Sequence, residues 1–232
     1  MVQINNTPLN LRVKFTKTGR LAYISHLDLV RTMNKIIVRA KLPLWYTEGF
    51  NPKPKMVFAV PLSIGTESVV EFMDVRLTHR GELAVMLDAL NANSTDELKF
   101  LEVYYPETRL TEMKWMSYLI EIKTSGDLPR LAAECESVLN SDCIEITKKT
   151  KSGEEKRVNV ADLIKSASAT ADGNLIKINC TLCADQSTFL NPENLIKALR
   201  SRVGILNDEC LVNEWYSIKR TGAFTDEMNV FR

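Results

Sequence analysis

The order of predicted strands and helices constrains the fold of this chain more than any other feature of its sequence. Apolar and polar side chains alternate over residues 11–17, which predicts a half-buried strand because successive strand side chains point to opposite faces. The later elements predicted in this half are a helix over 25–40, strands over 55–62 and 68–77, a helix over 81–91 and a strand over 98–106. The resulting order, βαββαβ, is that of a ferredoxin-like domain.

The second half of the sequence repeats this order of elements. Its predicted elements are strands over 116–124, 143–150, 174–184 and 210–220, with helices over 128–140 and 191–204. Residues 151–173 are polar and are expected to form a loop, except around 160–164. The halves share no evident sequence identity, so the repeat rests on element order. We predict an α+β fold of two tandem ferredoxin-like (βαββαβ) domains, a basic one over 1–110 and an acidic one over 111–232, joined near 107–114.

The first predicted helix has a defined start and two unlike faces. Ser25 followed by Asp28 is a capping-box pattern, and Pro43 prevents continuation of the helix. Helical spacing predicts an apolar face made of Leu27, Val30, Met33, Ile37 and Ala40. The opposite face has a basic row at i, i+4 and i+8, made of Arg31, Lys35 and Arg39. Like charges at this spacing repel by a few tenths of a kcal/mol per pair, which phosphates would relieve. A solvated basic face, or an acid paired with Arg39, is the alternative.

The charge of the sequence is concentrated near its N-terminus. Residues 11–55 contain ten basic and two acidic side chains, a net charge of +8, whereas residues 56–232 contain 20 basic and 27 acidic side chains, a net charge of −7. Charge asymmetry of this size concerns binding partners rather than fold. A dense cationic segment predicts a polyanionic ligand, and RNA, either tRNA or rRNA, is the expected one, while DNA is not expected.

Length and composition argue against several classes of protein. No apolar run approaches ~18 residues and no basic start precedes an apolar stretch, so we expect neither a membrane span nor secretion. Five cysteines without regular spacing indicate a reduced, cytoplasmic environment. Cys180 and Cys183 form a CxxC pair, but no second pair completes a zinc site. We therefore expect two buried thiols, with no metal and no cofactor.

The densest group of candidate ligand-binding residues follows the first helix. Gly49 can adopt positive φ, while Pro52 and Pro54 restrict the backbone around them, so a stiff loop is expected. This loop interleaves aromatic, amide and cationic side chains, namely Trp45, Tyr46, Phe50, Asn51, Lys53 and Lys55. Bases stack on aromatic rings and ammonium groups contact phosphates, so the pattern predicts binding of single-stranded nucleic acid. In the alternative, the aromatic residues belong to the core and the prolines only shape a connection.

His26, in the first turn of the predicted helix, is the weak candidate for a catalytic group. A helix N-terminus disfavours the protonated imidazole, which leaves a neutral ring able to act as a general base towards a ribose hydroxyl. A structural hydrogen bond is the alternative role. His79, the other histidine, lies in a predicted turn, and no P-loop, GxSxG or HExxH motif is present.

Four short motifs lie within residues 25–71: SHLDL at 25–29, RAKLP at 39–43, GFNPKPK at 49–55 and LSIGTESVVE at 62–71. They resemble motifs of the radical-SAM-linked protein family, domain of unknown function 2344, and IKRTGAF at 218–224 resembles the ending of that family. The resemblance implies a protein encoded beside, or fused to, radical SAM enzymes, often near ribosomal and RNase genes. It implies no activity for the chain itself.

The sequence departs from the pattern of this family at two places. Lys53 occupies the place of a histidine in GFNPHPK, and Thr47 with Glu48 replaces a Ser-Gln pair. Lysine can replace histidine as a hydrogen-bond donor or phosphate contact but cannot carry a proton in the same way, which favours binding over catalysis. The chain also lacks a CxxxCxxC motif, so it is not expected to be the radical enzyme itself.

The sequence supports three hypotheses about function. The leading one is a noncatalytic RNA-binding subunit that presents tRNA or rRNA to a partner radical SAM modification enzyme, while the acidic C-terminal domain contacts a protein partner or shapes the cleft. Its RNA-binding residues would be Arg20, His26, Arg31, Lys35, Arg39, Tyr46, Phe50, Asn51, Lys53 and Lys55.

The second hypothesis is a metal-independent endoribonuclease with His26 as its base, since tandem ferredoxin-like domains are similar to CRISPR repeat-processing nucleases. Those nucleases have a glycine-rich loop near the C-terminus, whereas only Gly204 and Gly222 follow Gly173 here. The third hypothesis is a protein adaptor whose basic patch contacts an acidic surface of the radical enzyme, because carboxylates and phosphates select the same side chains.

Overall fold

Two β-sheet units make up the chain in the computed structural model, which describes residues 8–149, 155–185, 188–207 and 213–232. The first unit runs to Glu112 and includes Arg232, and the second covers Met113–Phe231. Lys148 and Lys149 are described by their backbone alone. None of the helices in the described ranges is long and apolar enough to cross a membrane.

The first unit is a four-stranded antiparallel sheet with two helices. Its elements are β1 (Leu9–Lys17), α1 (His26–Arg39), β2 (Met56–Phe58), β3 (Thr66–Leu77), α2 (Leu83–Ala92) and β4 (Phe100–Tyr104). The strand order is β4-β1-β3-β2, and every neighbouring pair is antiparallel. The helix α1 connects β1 to β2, and the strand β3 lies between these two strands in the sheet. This arrangement is the ferredoxin-like one. The α+β, ferredoxin-like fold predicted for this half is confirmed.

One face of this sheet forms the core of the first unit. Leu11, Val13 and Phe15 alternate along β1 and are completely buried. They belong to one hydrophobic cluster with residues of β3, α1 and α2, among them Met73, Val75, Leu77, Met33, Ile37, Met86 and Leu90. Burial of each large apolar side chain stabilises the fold by about 1.5–3 kcal/mol. The alternation in the sequence therefore places both helices on this face.

The opposite face of β1 contains a buried ion pair that the sequence pattern does not predict. Arg12 has 0 % exposure. Its Nε donates to Asp74 Oδ1 at 2.7 Å and its Nη2 donates to Asp74 Oδ2 at 3.0 Å, while Nη1 donates to Thr108 Oγ1 at 2.8 Å. Lys17 is also buried and donates to the Ala22 carbonyl, and Lys14 is paired with a glutamate of β4. Part of the charge in residues 11–55 is therefore structural and does not face a ligand.

The start of α1 is the predicted one, whereas its buried face differs from the prediction. Ser25 is the N-cap and accepts a hydrogen bond from the Asp28 backbone N–H at 3.1 Å, which confirms the predicted helix start. The Asp28 carboxylate accepts from the Ser25 hydroxyl, whereas the reciprocal bond of a capping box would come from the Ser25 backbone N–H. The predicted apolar face was wrong at Leu27, which is 57 % exposed. Leu27 precedes Arg31 by four residues and so shares its outward face. The residues of α1 that are buried are Leu29, Met33, Ile36 and Ile37.

The second unit has the same topology with one insertion. Its elements are β5 (Trp115–Lys123), α3 (Leu128–Leu139), β6 (Glu145–Lys149), β7 (Glu155–Asn159), β8 (Ile164–Asp172), β9 (Leu175–Cys183), α4 (Glu193–Val203) and β10 (Trp215–Phe224). The strand order of the sheet is β10-β5-β9-β8, again with antiparallel neighbours. The hairpin β6–β7 is a separate two-stranded sheet inserted between α3 and β8. The tandem ferredoxin-like fold is confirmed for this half as well.

Two sequence predictions for the second unit were wrong. Residues 151–173 are not a loop, since they include β7 and β8, and the segment 143–150 contributes β6 to the inserted hairpin rather than a strand to the main sheet. The strand β8 lies at the edge of the sheet, where exposed Ser, Thr and Ala side chains give no apolar alternation. Residues 151–154, and the start of the strand predicted over 210–220, lie outside the described residues.

Candidate nucleic-acid interface

The outward face of α1 presents a row of three cations, here called the cationic row: Arg31, Lys35 and Arg39. All three are exposed. Arg31 donates to Asp28 Oδ1 at 3.1 Å, and Asp28 also accepts a hydrogen bond from the Ser25 hydroxyl. The hydrogen bond from Ser25 has the larger effect and the one from Arg31 the smaller, and together they hold the pKa of Asp28 below its ordinary value of 3.8. Lys35 and Arg39 form no ion pair with any residue that the structure describes.

Lys41, two residues after the end of α1, is a further cation next to this row in the sequence, and it was not among the predicted site residues. Its φ is 54°, a left-handed conformation that glycine usually adopts after a helix. The turn is held by hydrogen bonds from the Ala40 N–H to the Ile36 carbonyl at 2.8 Å and from the Lys41 N–H to the Val38 carbonyl at 3.1 Å. The Lys41 side chain is exposed. The sequence contained one signal for this residue, namely its place among the ten bases of residues 11–55.

The segment after α1 forms a braced protrusion, here called the aromatic loop (residues 45–55). Its two arms pair with each other, because Thr47 N–H donates to the Lys53 carbonyl at 2.9 Å and Lys53 N–H donates to Thr47 Oγ1 at 3.1 Å. Its base is fixed to β3, since Trp45 N–H donates to the Arg76 carbonyl at 2.9 Å and Arg76 N–H donates to the Lys55 carbonyl at 3.0 Å. Hydrogen bonds, and not prolines alone, therefore hold this loop in one shape.

The tip of the aromatic loop points its ring into solvent. Phe50 has a relative exposure of 112 %, and Tyr46 is 43 % exposed, whereas Trp45 is half-buried. Gly49, which precedes Phe50, has φ of 125°, so the turn needs a residue without Cβ. Core placement of the aromatic residues is thus wrong for Phe50. The polar members of the loop, which are Asn51, Lys53 and Lys55, are exposed too.

Arg20 and His26 lie near the opposite end of α1 from Arg39 and the aromatic loop. The 14 residues of α1 rise by about 20 Å between its ends. Arg20 forms an ion pair with Glu97 at 3.3 Å, and its side chain is almost fully exposed, so this pair contributes little to stability. Lys35 and Arg39 therefore lie towards the end of α1 that leads into the aromatic loop, whereas Arg20 and His26 lie at its start. His26 contacts Phe58, three residues after the end of that loop.

His26 contacts an aromatic ring rather than a titratable group. Its imidazole meets the Phe58 ring edge-on, with 5.2 Å between the ring centroids, and the side chain is exposed. A general base is normally oriented by a hydrogen bond to its second nitrogen. The described residues show an aromatic contact at this histidine instead. His79 is within 3.0 Å of the Thr78 hydroxyl through Nδ1.

The CxxC pair lies inside the second unit. Cys180 and Cys183 of β9 are both buried, as the sequence predicts. Burial raises the pKa of the Cys180 thiol to about 12, so the thiolate that would bind a metal or attack a disulfide is disfavoured. In the ranges that the structure describes, no group of three or more His, Cys, Asp or Glu side chains could hold a metal ion.

Comparison with known proteins identifies a sequence family and distant structural likenesses. The model of a family described as uncharacterized proteins conserved in bacteria matches residues 10–192. A search of curated proteins found no match. Among solved structures, a Cbf5–Nop10–Gar1 complex is similar, with 14 % identity and a TM-score of 0.49, over 92 % of this chain and 48 % of that chain. The chain thus spans about half of that structure's length.

A second solved structure, an unknown protein from Galdieria sulphuraria, has 9 % identity and a TM-score of 0.26, over 92 % of this chain and 99 % of that chain. TM-scores below 0.5 do not establish a shared fold. The ferredoxin-like assignment therefore comes from the strand order of each unit.

Proposed function

We propose that this chain, which belongs to the DUF2344 family of uncharacterized proteins conserved in bacteria, is a noncatalytic RNA-binding subunit that presents tRNA or rRNA to a partner radical SAM modification enzyme in the cytoplasm. RNA would bind the first unit along the cationic row and the aromatic loop. The partner is inferred from the motifs at 25–29, 39–43 and 49–55, which resemble those of a radical-SAM-linked family.

A set of solvated cations without carboxylate partners supports the proposal most directly. Lys35, Arg39, Lys53 and Lys55 are exposed, and none of them forms an ion pair with a described residue. Other cations of the same segment, such as Arg12, form ion pairs within the protein. Lys35 and Arg39 repel each other at helical spacing, and phosphates at similar spacing would remove that repulsion.

Binding is favoured over catalysis by the chemistry of the exposed groups. Lys53 occupies a position where the related motif has histidine, and an ammonium can contact a phosphate without transferring protons near neutral pH. His26, the candidate base of an endoribonuclease, meets the Phe58 ring rather than a group that could orient its imidazole. Presentation of RNA to another enzyme requires only a stable, oriented contact.

A salt series tests the proposal. Removing two phosphate contacts should reduce the slope of log K against log salt by about 1.4–1.8. We therefore expect Lys53→Ala/Lys55→Ala to weaken binding of crosslinked cellular tRNA or rRNA and to flatten its salt dependence. The control Lys99→Ala/Lys156→Ala removes the same charge from exposed positions outside the loop. Equal slopes for both double variants, or no RNA bound at low salt, would refute the proposal. Binding to the partner enzyme alone would instead identify a protein adaptor.

A further inference from the structure

The position of Phe50 is the feature of the aromatic loop that electrostatic binding does not require. A polyphosphate needs cations, whereas Phe50 adds an apolar ring that is completely exposed. Pairing of the two arms, Thr47 with Lys53 and Tyr46 with Pro54, fixes the backbone on both sides of the tip that carries this ring. Exposed apolar surface held in place by hydrogen bonds is the usual form of a preorganised contact.

The groups around this ring match the parts of one nucleotide. The Phe50 ring offers a flat apolar surface, and Asn51 next to it has an exposed amide that can both donate and accept hydrogen bonds. Lys53 and Lys55 provide two exposed ammonium groups on the returning arm. A nucleobase has a flat π-face and a polar edge, and phosphates flank it on both sides.

We infer that the aromatic loop recognises a single unpaired nucleotide, whose base stacks on Phe50, whose edge bonds to Asn51 and whose flanking phosphates contact Lys53 and Lys55. This inference rests on the proposed function and narrows the substrate to RNA with an unpaired base, such as a bulge or loop. A base within a duplex is stacked on both faces, and the deep, narrow major groove of A-form RNA excludes side chains. Phe50 could not reach a base there.

Three matched hairpin RNAs separate stacking from charge. The first has one bulged nucleotide, the second has an abasic residue at the bulge, and the third has no bulge. The first two have the same number of phosphates. We expect Phe50→Ala to weaken binding of the bulged RNA by about 5- to 150-fold, the range for loss of one base–aromatic stack. Binding of the abasic and fully paired RNAs should change by less than about twofold, and the salt slope should be unchanged, since no charge is lost.

Phe50→Trp is the conservative control, because indole offers a larger stacking face, and it should retain binding of the bulged RNA. If 2-aminopurine is placed at the bulge, the fluorescence of this base should change when the wild-type protein or Phe50→Trp binds, but not when Phe50→Ala binds.

The outcomes distinguish this inference from the proposed function. An equal effect of Phe50→Ala on bulged and abasic RNA, or no effect on either, overturns the inference. If Lys53→Ala/Lys55→Ala still flattens the salt dependence in that case, RNA binding survives and only base recognition fails. If the wild-type chain binds none of the three RNAs at low salt, both ideas fail together. Loss of association with a partner protein in Phe50→Ala, with RNA binding intact, would reassign the ring to a protein contact.

Discussion

Replacing Arg12 by methionine should destabilise the first unit strongly without altering RNA binding. Arg12 is completely buried, and its guanidinium forms two hydrogen bonds with the Asp74 carboxylate, at 2.7 and 3.0 Å. Methionine fills a similar volume but leaves Asp74, whose side chain is 12 % exposed, as a charge without its guanidinium partner. Removing one partner of a buried ion pair costs about 3–5 kcal/mol. The lost bond to Thr108 adds to this loss.

Urea denaturation can follow the first unit separately. Trp45 is the single tryptophan of this unit, since the other two are Trp115 and Trp215, so a Trp115→Phe/Trp215→Phe background reports on it alone. With a denaturant slope of about 2 kcal/mol/M, the midpoint should fall by roughly 1.5–2.5 M. In the same background, Arg12→Met/Asp74→Leu should recover most of the loss, because replacing both charges by apolar groups is often neutral.

A cost of less than about 1 kcal/mol for Arg12→Met, or a double variant less stable than the single one, would show that the pair with Asp74 does not stabilise the first unit as described. If Arg12→Met lowered the salt slope of RNA binding by about one unit, Arg12 would contact a phosphate in the complex. Either result would mean that the buried pair is not the main role of this arginine.

Three further predictions concern α1. Ser25→Ala removes the N-cap and should lower the unfolding free energy by about 1 kcal/mol in urea denaturation; no change would exclude a stabilising cap. The pKa of Asp28 is lowered in the folded state, so ionised Asp28 stabilises the fold at pH values above its unfolded pKa near 3.8. This stabilisation is lost as the pH falls through the folded pKa, so Asp28→Asn should flatten that part of the pH–stability curve. Lys41→Gly relieves a left-handed conformation that costs about 1–2 kcal/mol, while the added conformational entropy of the unfolded chain costs about 0.4–1 kcal/mol. The unfolding free energy in urea denaturation should therefore rise, by at most about 1.6 kcal/mol, while RNA affinity falls. A loss of stability would show that the Lys41 side chain contributes to the fold.

Local interactions explain which parts of the fold the sequence could predict. The N-cap bond joins Ser25 and Asp28, three residues apart, and the core face of β1 depends on alternation within 11–15. Such patterns are visible in a short window. The βαββαβ order follows once each element is placed, and both sheets then take the ferredoxin-like strand order.

Long-range contacts explain the errors. The strand β1 was expected to be half-buried, with its apolar face in the core, yet Arg12 on its polar face is buried too, because Asp74, 62 residues later, neutralises it from the neighbouring strand. The strand β8 was missed because it lies at the sheet edge and most of its side chains are exposed. Its sequence therefore lacks the hydrophobic alternation that marks a half-buried strand. No short window of sequence shows the contact between Arg12 and Asp74 or the edge position of β8.

The candidate interface was predicted unevenly for a similar reason. Residue types predicted the chemistry of the aromatic loop, because cations and aromatic rings are visible in the sequence. Which ring is exposed depends on the pairing of the two arms and on the contact with Arg76, so Trp45 and Phe50 could not be distinguished. Lys41 was missed because its role depends on a backbone conformation that its residue type disfavours.

The composition of β8 has a consequence for the behaviour of the protein at high concentration. An edge strand exposes unpaired N–H and C=O groups, and a flat apolar edge is a template for pairing with a second molecule. The exposed Ser166, Ser168 and Thr170, next to Lys165 and an irregular register between Ile164 and Ser166, make such pairing unfavourable. We therefore expect the polar side chains of this strand, which give it no apolar alternation, to disfavour fibrillar association of the second unit. Valine or isoleucine at these positions would make the strand easy to recognise and the protein prone to aggregate.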